Sequence, residues 1–242
     1  MKNNPTLSII IPAFNEGKRI GPSLESVEAF LKKQSYEADV FVVNDCSLDE
    51  TRAVVEEFIK NKPNYMIINN LTNMGKGAAV QKGMMMAKGK FRLFADADMS
   101  TPIEEVEKFL VLADKFDVVI GSRRVSGAKI DVRQPIFREA AGRFFSLIVR
   151  VLTLRGFLGT QCGFKLFSGD AADNVFSRLT IHRFGFDVEA LFIAEKLGYK
   201  VLEAPVFWKD APGSTVRLQS DSVDMFLDLF KIRKNDLLGA YK

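Results

Sequence analysis

The segment Asp96-Ala97-Asp98 carries two carboxylates one residue apart, directly after the apolar run from Phe91 to Ala95. Residues i and i+2 of a strand point to the same face, so both side chains can reach one divalent cation where the strand ends. Magnesium usually takes only one or two protein carboxylates and completes its coordination with water and substrate phosphates. The spacing therefore predicts a metal site for a diphosphate-carrying substrate. The alternative is a pair of solvated aspartates at a strand end, because Asp-x-Asp is short and common.

Short apolar runs alternate with segments of helical spacing along the first half of the chain. The predicted strands cover residues 7–11, ended by Pro12, and then 40–43, 65–69, 91–95 and 118–121. The predicted helices cover residues 21–33, 51–60, 78–87 and 103–116, with Ser47 or Asp49 as a candidate cap of the second helix. This alternation favours an α/β fold with a mostly parallel sheet and helices on both faces.

Three polar segments directly follow predicted strands, namely 14–16, 44–45 and 96–98. In open α/β sheets, ligands bind beyond the carboxyl ends of the strands. We therefore expect these segments to converge at one edge of the sheet.

Composition limits the class of protein. The chain has 242 residues, of which 47% are hydrophobic, and we expect a single domain. It has no apolar run of about 18 residues, and its N-terminus has no signal-peptide pattern, so we expect a soluble, cytosolic chain. Cys46, Cys162 and the single histidine, His182, are too few and too scattered to favour disulfides, structural zinc or a Ser-His-Asp triad.

The chain is mildly basic, with a net charge of +4 and a sequence pI of about 9.0. This balance is compatible with anionic ligands or an anionic membrane surface. It is too small to indicate nucleic acid, and no nucleic-acid motif is present, so we expect no nucleic-acid partner.

The run from Ile136 to Leu154 is strongly apolar but contains arginines. At helical pitch its main apolar residues share one face and the arginines lie elsewhere. The apolar residues are Phe137, Phe144, Ile148 and Leu152, and the arginines are Arg138, Arg143 and Arg150. Two interpretations remain, a buried core helix or a helix in a membrane interface with snorkelling arginines. Residues 223–234 form a second candidate for lipid contact, and the two segments could instead pack together in a homo-oligomer.

Six motifs occur in the order found in family-2 glycosyltransferases, and the chain resembles that family over nearly its whole length. The motifs span residues 8–16, 42–49, 73–77, 96–98, 121–123 and 160–165. Within the family, residues 161–167, residues 186–189, and Trp208 followed by Gly213-Ser214 are most similar to the dolichyl-phosphate β-glucosyltransferase branch. The dolichyl-phosphate mannosyltransferases are close relatives of that branch.

The resemblance implies a single GT-A domain over residues 1–242, with a nucleotide-binding half at about 1–122 and an acceptor half at about 123–242. It implies inverting, metal-dependent transfer of glucose from UDP-glucose to a polyprenyl phosphate, with Mg²⁺ or Mn²⁺ as cofactor. The enzyme would touch the cytoplasmic face of a membrane without spanning it. Alternatives are a GDP-mannose-dependent enzyme with the same acceptor, or a transferase acting on a soluble saccharide. A non-enzymatic nucleotide-sugar sensor or membrane scaffold is disfavoured by the intact Asp45, Asp96 and Asp98.

The resemblance also assigns donor-side roles. The uridine pocket would be lined by Pro12, Phe14 and Glu16, and Asp45 would hydrogen-bond the base. The metal on the diphosphate would be held by Asp96 and Asp98, with Lys76 facing the nucleotide. Two residues depart from the family pattern: Cys46 stands in place of the usual glycine, and Gly159 in place of the usual aspartate. The second departure leaves the identity of the sugar open.

On the acceptor side, the resemblance implies that Arg123 and Arg138 meet phosphate groups of donor or acceptor. Four further residues would border the sugar and acceptor cleft, namely Gln161, Lys165, Asp187 and Trp208. Trp208 is either a sugar-stacking ring or a core residue. Asp187 would be the general base for a hydroxyl acceptor. A phosphomonoester is already anionic near neutral pH, because its second pKa is about 6, and Asp187 would then only orient it. As a further alternative, Asp187 caps the helix that follows it.

Overall fold

A computed structural model describes residues 4–131, 136–154, 156–209 and 218–242, and for residues 136–141, 143, 144 and 218–222 it describes only the backbone. The strands are β1 Leu7–Ala13, β2 Ala38–Asn44, β3 Tyr65–Asn69, β4 Phe91–Ala95, β5 Val118–Ser122, β6 Lys129–Ile130, β7 Phe164–Ser168, β8 Val201–Pro205 and β9 Phe207–Trp208. The helices are α1 Ile20–Leu31, α2 Thr51–Ile59, α3 Lys76–Met86, α4 Val106–Leu112, α5 Ile136–Leu152, α6 Gly169–Phe176, α7 Phe186–Lys196 and α8 Leu218–Leu237. A short 3₁₀ turn, Ile103–Glu105, precedes α4.

Seven strands form the central sheet in the order β3-β2-β1-β4-β7-β5-β8. Every pair in it is parallel except those of β7, which runs antiparallel to both β4 and β5. Strands β6 and β9 form a separate parallel pair. The predicted fold class, a mostly parallel sheet with helices, is confirmed.

Alternate side chains of the strands feed two apolar cores, one on each face of the sheet, as the period of two requires. Ile9 and Ile11 of β1 pack with α1, α2 and α4, whereas Ile10 packs with α3 and the helices of the second half. Both faces are therefore covered, which explains why the strands are almost continuously apolar.

One difference from the predicted elements concerns Pro12, which was expected to end β1. The strand continues to Ala13, and Pro12 pairs with Val43 of β2. Because the ladder between β1 and β4 ends at Ile10, Pro12 lies past the last pair on that side. Helix α3 also begins earlier than predicted, at Lys76, because Gly75 adopts a positive φ of 96° and turns the chain into the helix.

The position of β7 joins the two predicted halves of the chain. Although it follows residue 122 in sequence, β7 lies between β4 and β5 in the sheet. The sheet therefore contains strands from both sides of residue 122. The antiparallel direction of β7 also brings the residues that precede it to the carboxyl edge of β4.

One side of helix α5 packs in a core, and its other side is exposed. Val149 is buried in the core, and Ile148 and Leu152 pack against that core. On the outer side, Leu147 and Val151 are 55% and 68% exposed. Helix α5 contacts α8, where Val223, Phe226, Leu227 and Phe230 are also exposed. Within the described part of the chain, none of the helices combines the length and the apolar character needed to cross a bilayer.

Candidate active site

The loop that carries Asp96 and Asp98 lies at the carboxyl end of β4 and is fixed by hydrogen bonds on both sides. The Met99 N–H donates to the Asp96 carbonyl at 3.0 Å, and the Ser100 N–H donates to Asp98 Oδ1 at 3.0 Å. Ser23 of α1 donates its hydroxyl to the Ala97 carbonyl at 2.7 Å. The loop is therefore held by the first helix of the fold as well as by its own turn.

Gly163, which precedes β7, packs directly on Asp96. The Asp96 N–H donates to the Gly163 carbonyl at 3.0 Å, and a β-carbon at position 163 would overlap the Asp96 carboxylate. Only glycine fits here, because real β-carbons do not approach other atoms so closely. The glycine thus fixes the direction of the carboxylate.

Two cations face the aspartates. Lys76 Nζ lies 2.6 Å from Asp96 Oδ1, and Arg19 Nη1 lies 3.5 Å from Asp98 Oδ2. Burial opposes the charge of Lys76, but the carboxylates of Asp96, Asp187 and Asp98 outweigh it and raise its pKa. Lys76 therefore stays positively charged at neutral pH.

Arg19 links the Asp98 loop to Glu16 in the loop after β1. It donates to both carboxylate oxygens of Glu16, from Nε and Nη2, each at 2.6 Å. Burial raises the pKa of Glu16, the Arg19 guanidinium opposes this rise, and the charges of Asp98 and Asp96 add to it. Glu16 therefore orients Arg19 by a bidentate contact, the strongest geometry for this pair.

Lys165 and Asp187 form a buried ion pair behind this edge. Lys165 Nζ contacts Asp187 Oδ1 and donates to the Cys162 carbonyl at 2.6 Å. The prediction that Lys165 borders the cleft is wrong, because its side chain has no exposed surface. The prediction that Asp187 caps α7 is also wrong, because Gly185 occupies the cap position and Asp187 lies in the first turn. Burial raises the pKa of Asp187, and the ammonium groups of Lys165 and Lys76 oppose the rise.

The aspartate pair fits a small divalent cation. Its donors are hard carboxylate oxygens, and Asp96 Oδ1, although ion-paired with Lys76, accepts no well-directed hydrogen bond from the described residues. Among those residues there is no group of three or more His, Cys, Asp or Glu side chains that would form an all-protein cage. Magnesium and manganese bound to substrate phosphates do not need one.

Asp45 lies at the end of β2 and is buried, with its carboxylate facing the loop before α3. Oδ1 accepts from Asn70 Nδ2 at 2.8 Å and the Met74 N–H at 2.9 Å, and Oδ2 accepts from the Gly75 N–H at 2.7 Å. Contact with a base would use the remaining lone pair of Oδ2. Cys46, at the position where glycine was expected, has a φ of 61°, a left-handed conformation that carries modest strain in a residue other than glycine.

On the acceptor side, Arg123 lies over the ring of Trp208, with Cζ 4.3 Å from the ring centroid. Trp208 is only 8% exposed, so it supports Arg123 from the core and has little ring surface free for a sugar. Gln161 donates to Met225 Sδ of α8 at 3.8 Å. A small polar cleft beside Arg123 is lined by Arg124, Ser146, Gly159, Thr160, Gln161 and Cys162.

The departure at Gly159 has a structural counterpart in Glu203 of β8. The Glu203 carboxylate accepts from the N–H groups of Leu158 and Gly159 at 2.8 and 2.7 Å. A β-carbon at position 159 would lie 3.3 Å from Glu203 Oε1. A carboxylate is therefore present at this turn, although residue 159 does not supply it.

The side chain of Arg138, which was expected to meet a phosphate group, lies outside the description, as do Gly213 and Ser214 of the motif that follows Trp208. Several residues that contribute to the site were not predicted from the sequence, namely Arg19, Ser23, Gly163 and Glu203. Arg19 had a signal, since it stands three residues after Glu16, a spacing at which opposite charges meet.

The fold and the aspartate site together define a GT-A glycosyltransferase. Residues 8–176 match the sequence profile of Glycosyl transferase family 2, and the chain belongs to that family. It is 33% identical to a dolichyl-phosphate beta-glucosyltransferase of Dictyostelium discoideum over 99% of this chain and 77% of that protein. It is 36% identical to one of Trichomonas vaginalis, over 93% of this chain and 70% of that protein.

A solved structure with a similar fold is glucosyl-3-phosphoglycerate synthase from Mycobacterium tuberculosis in complex with Mn²⁺, UDP and glucosyl-3-phosphoglycerate. Its TM-score is 0.67 at 15% identity, over 94% of this chain and 80% of that chain. At this identity the likeness concerns the fold alone.

Proposed function

We propose that this enzyme transfers glucose, with inversion, from UDP-glucose to a polyprenyl phosphate of the dolichyl type at the cytoplasmic face of a membrane. The main supporting observation is the aspartate loop with Lys76 and Arg19 against it, in a chain whose relatives are named dolichyl-phosphate beta-glucosyltransferases.

The nucleotide would bind at the carboxyl ends of β1 and β2. Pro12 is buried in β1. Phe14 directly follows β1, is 37% exposed and is available to a base or ribose. Asp45 shapes the far side of this pocket by holding the loop that leads to Lys76. The diphosphate would then lie between the Glu16 loop and the first turn of α3.

The departure of UDP places negative charge on the diphosphate as the sugar acquires oxocarbenium character. Lys76 and Arg19 are positioned to stabilise that charge, because both already face the aspartates. Asp96 and Asp98 would hold Mg²⁺ or Mn²⁺, which when bound acts as a Lewis acid on the departing oxygens.

A phosphate acceptor needs no deprotonation near neutral pH. This matches the position of Asp187, which is buried and paired with Lys165 rather than open to a substrate hydroxyl. We assign Asp187 an orienting role toward Lys76. Arg123, which lies over the ring of Trp208, would bind the acceptor phosphate, and we propose phosphate binding for Arg138 as well.

The acceptor's lipid chain favours a membrane-facing surface. The exposed apolar residues of α5 and α8, Leu147, Val151, Val223, Phe226, Leu227 and Phe230, form what we call the apolar helix face. Basic residues on the same helices, Arg150, Lys231 and Lys234, are exposed and would favour anionic lipid.

The direct test is transfer of labelled sugar from UDP-glucose or GDP-mannose, with and without a short polyprenyl phosphate, at several Mg²⁺ and Mn²⁺ concentrations. We expect metal-dependent transfer from UDP-glucose that requires the polyprenyl phosphate. The Asp98→Ala variant should lose it, while Asp114→Ala, at an exposed aspartate beyond α4, should not.

A preference for GDP-mannose would replace the donor in this proposal. Transfer only to soluble saccharides would replace the acceptor. Unchanged activity of Asp98→Ala, or full activity with a chelator present, would contradict the metal assignment.

A further inference from the structure

The first turn of α3, which carries Lys76, lies against the backbone of residues 180–182. The Ala78 N–H donates to the His182 carbonyl at 3.1 Å. A β-carbon at Gly75 would lie 2.5 Å from the His182 oxygen, and one at Gly77 would lie 2.7 Å from the Ile181 oxygen. These backbones are packed without a gap, so a shift of the 180–182 segment would move Lys76.

The 180–182 segment is held in turn by Glu189 of α7, whose side chain is fully buried. Glu189 Oε2 accepts from the N–H groups of Thr180 and Ile181 at 2.9 and 2.7 Å. Oε1 accepts from the Thr180 hydroxyl at 2.6 Å. A buried carboxylate is stable only when its oxygens are hydrogen-bonded, so this segment and Glu189 depend on each other.

Tyr241, which follows α8, supplies a further donor to Glu189. Its hydroxyl donates to Glu189 Oε1 at 2.6 Å, and its ring packs edge-on against Phe192 with a centroid distance of 5.9 Å. Asn235 of α8 donates to the Thr180 hydroxyl at 2.9 Å. Helix α8 and its following turn are thus fastened to the segment that supports Lys76.

We propose that Glu189 and Tyr241 are positioning residues for the donor site, acting through the 180–182 segment on Lys76. The contacts run from Tyr241 to Glu189, from Glu189 to the backbone of Thr180 and Ile181, and from that backbone to Gly75 and Gly77. Neither residue touches substrate. The inference rests on the proposed function in one respect, namely that Lys76 faces the diphosphate of the donor.

The test is a double-mutant cycle between Tyr241 and Lys76, read as the dissociation constant of UDP-glucose with Mg²⁺ present. The Tyr241→Phe variant keeps the ring on Phe192 and removes only the hydroxyl. We expect it to weaken donor binding by roughly threefold to tenfold, the range expected for the net loss of one typical hydrogen bond, with the acceptor KM unchanged. In a Lys76→Met background the same change should have almost no further effect.

The matched control is Tyr199→Phe, which removes a hydroxyl bonded at 2.6 Å to the carboxylate of Asp170 in the first turn of α6 and not to Glu189. It should leave donor binding at the wild-type value even if the melting temperature falls. A Tyr241→Phe variant with lowered melting temperature but wild-type donor affinity would show that the network is only structural. An undiminished effect of Tyr241→Phe in the Lys76→Met background would equally overturn the inference.

The same titration separates this inference from the proposed function. Wild-type protein that fails to bind UDP-glucose contradicts the donor assignment. If the wild type and Tyr241→Phe bind UDP-glucose equally tightly, only the positioning role is contradicted.

Discussion

The carboxylate of Asp96 lies against the α-carbon of Gly163, and the Asp96 N–H donates to the Gly163 carbonyl. Gly163 thus acts on Asp96 in two ways, through a backbone hydrogen bond and through close contact with the carboxylate. Because β7 is antiparallel to β4, the residue before β7 meets the residue after β4. The geometry of the proposed metal site therefore depends on a strand that comes much later in the sequence.

The Gly163→Ala substitution should turn Asp96 away from its present direction. We expect Mn²⁺ affinity and transfer activity to fall by about tenfold or more, since a displaced metal ligand or its support commonly costs that much. The measurement is Mn²⁺ binding by calorimetry in the presence of UDP, together with turnover. Gly156→Ala is the matched control, because a β-carbon there meets none of the described atoms within 4 Å. Wild-type metal affinity in Gly163→Ala would refute the steric argument.

Removal of one partner of the buried Lys165–Asp187 pair should be far more costly than removal of both. We expect Lys165→Met to lower the free energy of unfolding by roughly 3–5 kcal/mol, because it leaves Asp187 buried without its partner. Adding Asp187→Leu should restore most of that loss but not activity. Chemical denaturation measures the stability of the single and the double variant. The control is Lys32→Met, at an exposed residue paired with Glu28, which should change stability by no more than about 1 kcal/mol. Equal stability of the single and double variants would disprove the coupling.

The contribution of Glu16 to the free energy of unfolding should fall as the pH rises. Its pKa is raised above the ordinary value of 4.5, so the folded protein holds this proton at a pH where the unfolded chain has lost it. The resulting stability is fully present below pH 4.5 and is lost as the pH rises through the folded pKa. The free energy of unfolding of the wild type, measured relative to Glu16→Gln, should therefore fall as the pH rises from about 4 toward 7. A difference that rises with pH would contradict the sign.

Polar substitutions on the apolar helix face should weaken membrane binding without unfolding the protein. We expect Leu147→Ser, Val151→Ser and Phe230→Ser combined to reduce co-sedimentation with vesicles containing anionic lipid by tenfold or more, on the basis of about 1 kcal/mol for each exposed apolar side chain removed. Val111→Ser is the control, because Val111 is 72% exposed on α4, on the other face of the sheet. Circular dichroism checks the fold.

The alternative occupant of this face is a second copy of the chain. Wild-type protein that ignores vesicles but dimerises in sedimentation experiments, with the triple variant monomeric, would decide for an oligomer. Equal vesicle binding by the wild type and the triple variant would exclude this face as the lipid contact.

The sequence predicted the parallel part of the sheet well, because local patterns determine it. Strands such as Phe91–Ala95 are short apolar runs, and the polar residues after them meet at the carboxyl edge by the geometry of parallel sheets. The aspartate pair could be found in this way, since its two members are neighbours in the chain.

Contacts between distant segments could not be predicted in the same way. Arg19 was missed as a partner of Asp98, because nothing local to α1 indicates how closely it approaches the loop after β4. Lys165 was expected at the cleft only from the resemblance to family-2 glycosyltransferases. Its burial is possible because Asp187 and the Cys162 carbonyl contact its ammonium group. Neither partner belongs to β7, so the sequence of that strand alone could not predict the burial.

The contact between Arg123 and Trp208 has a spectroscopic consequence. Trp208 is the single tryptophan of the chain, and a guanidinium group lies 4.3 Å from its ring centroid. Any anion that draws Arg123 away from the indole changes the electric field at that one fluorophore. The emission of the unlabelled protein should therefore report the arrival of an acceptor phosphate directly, with no background from other indoles.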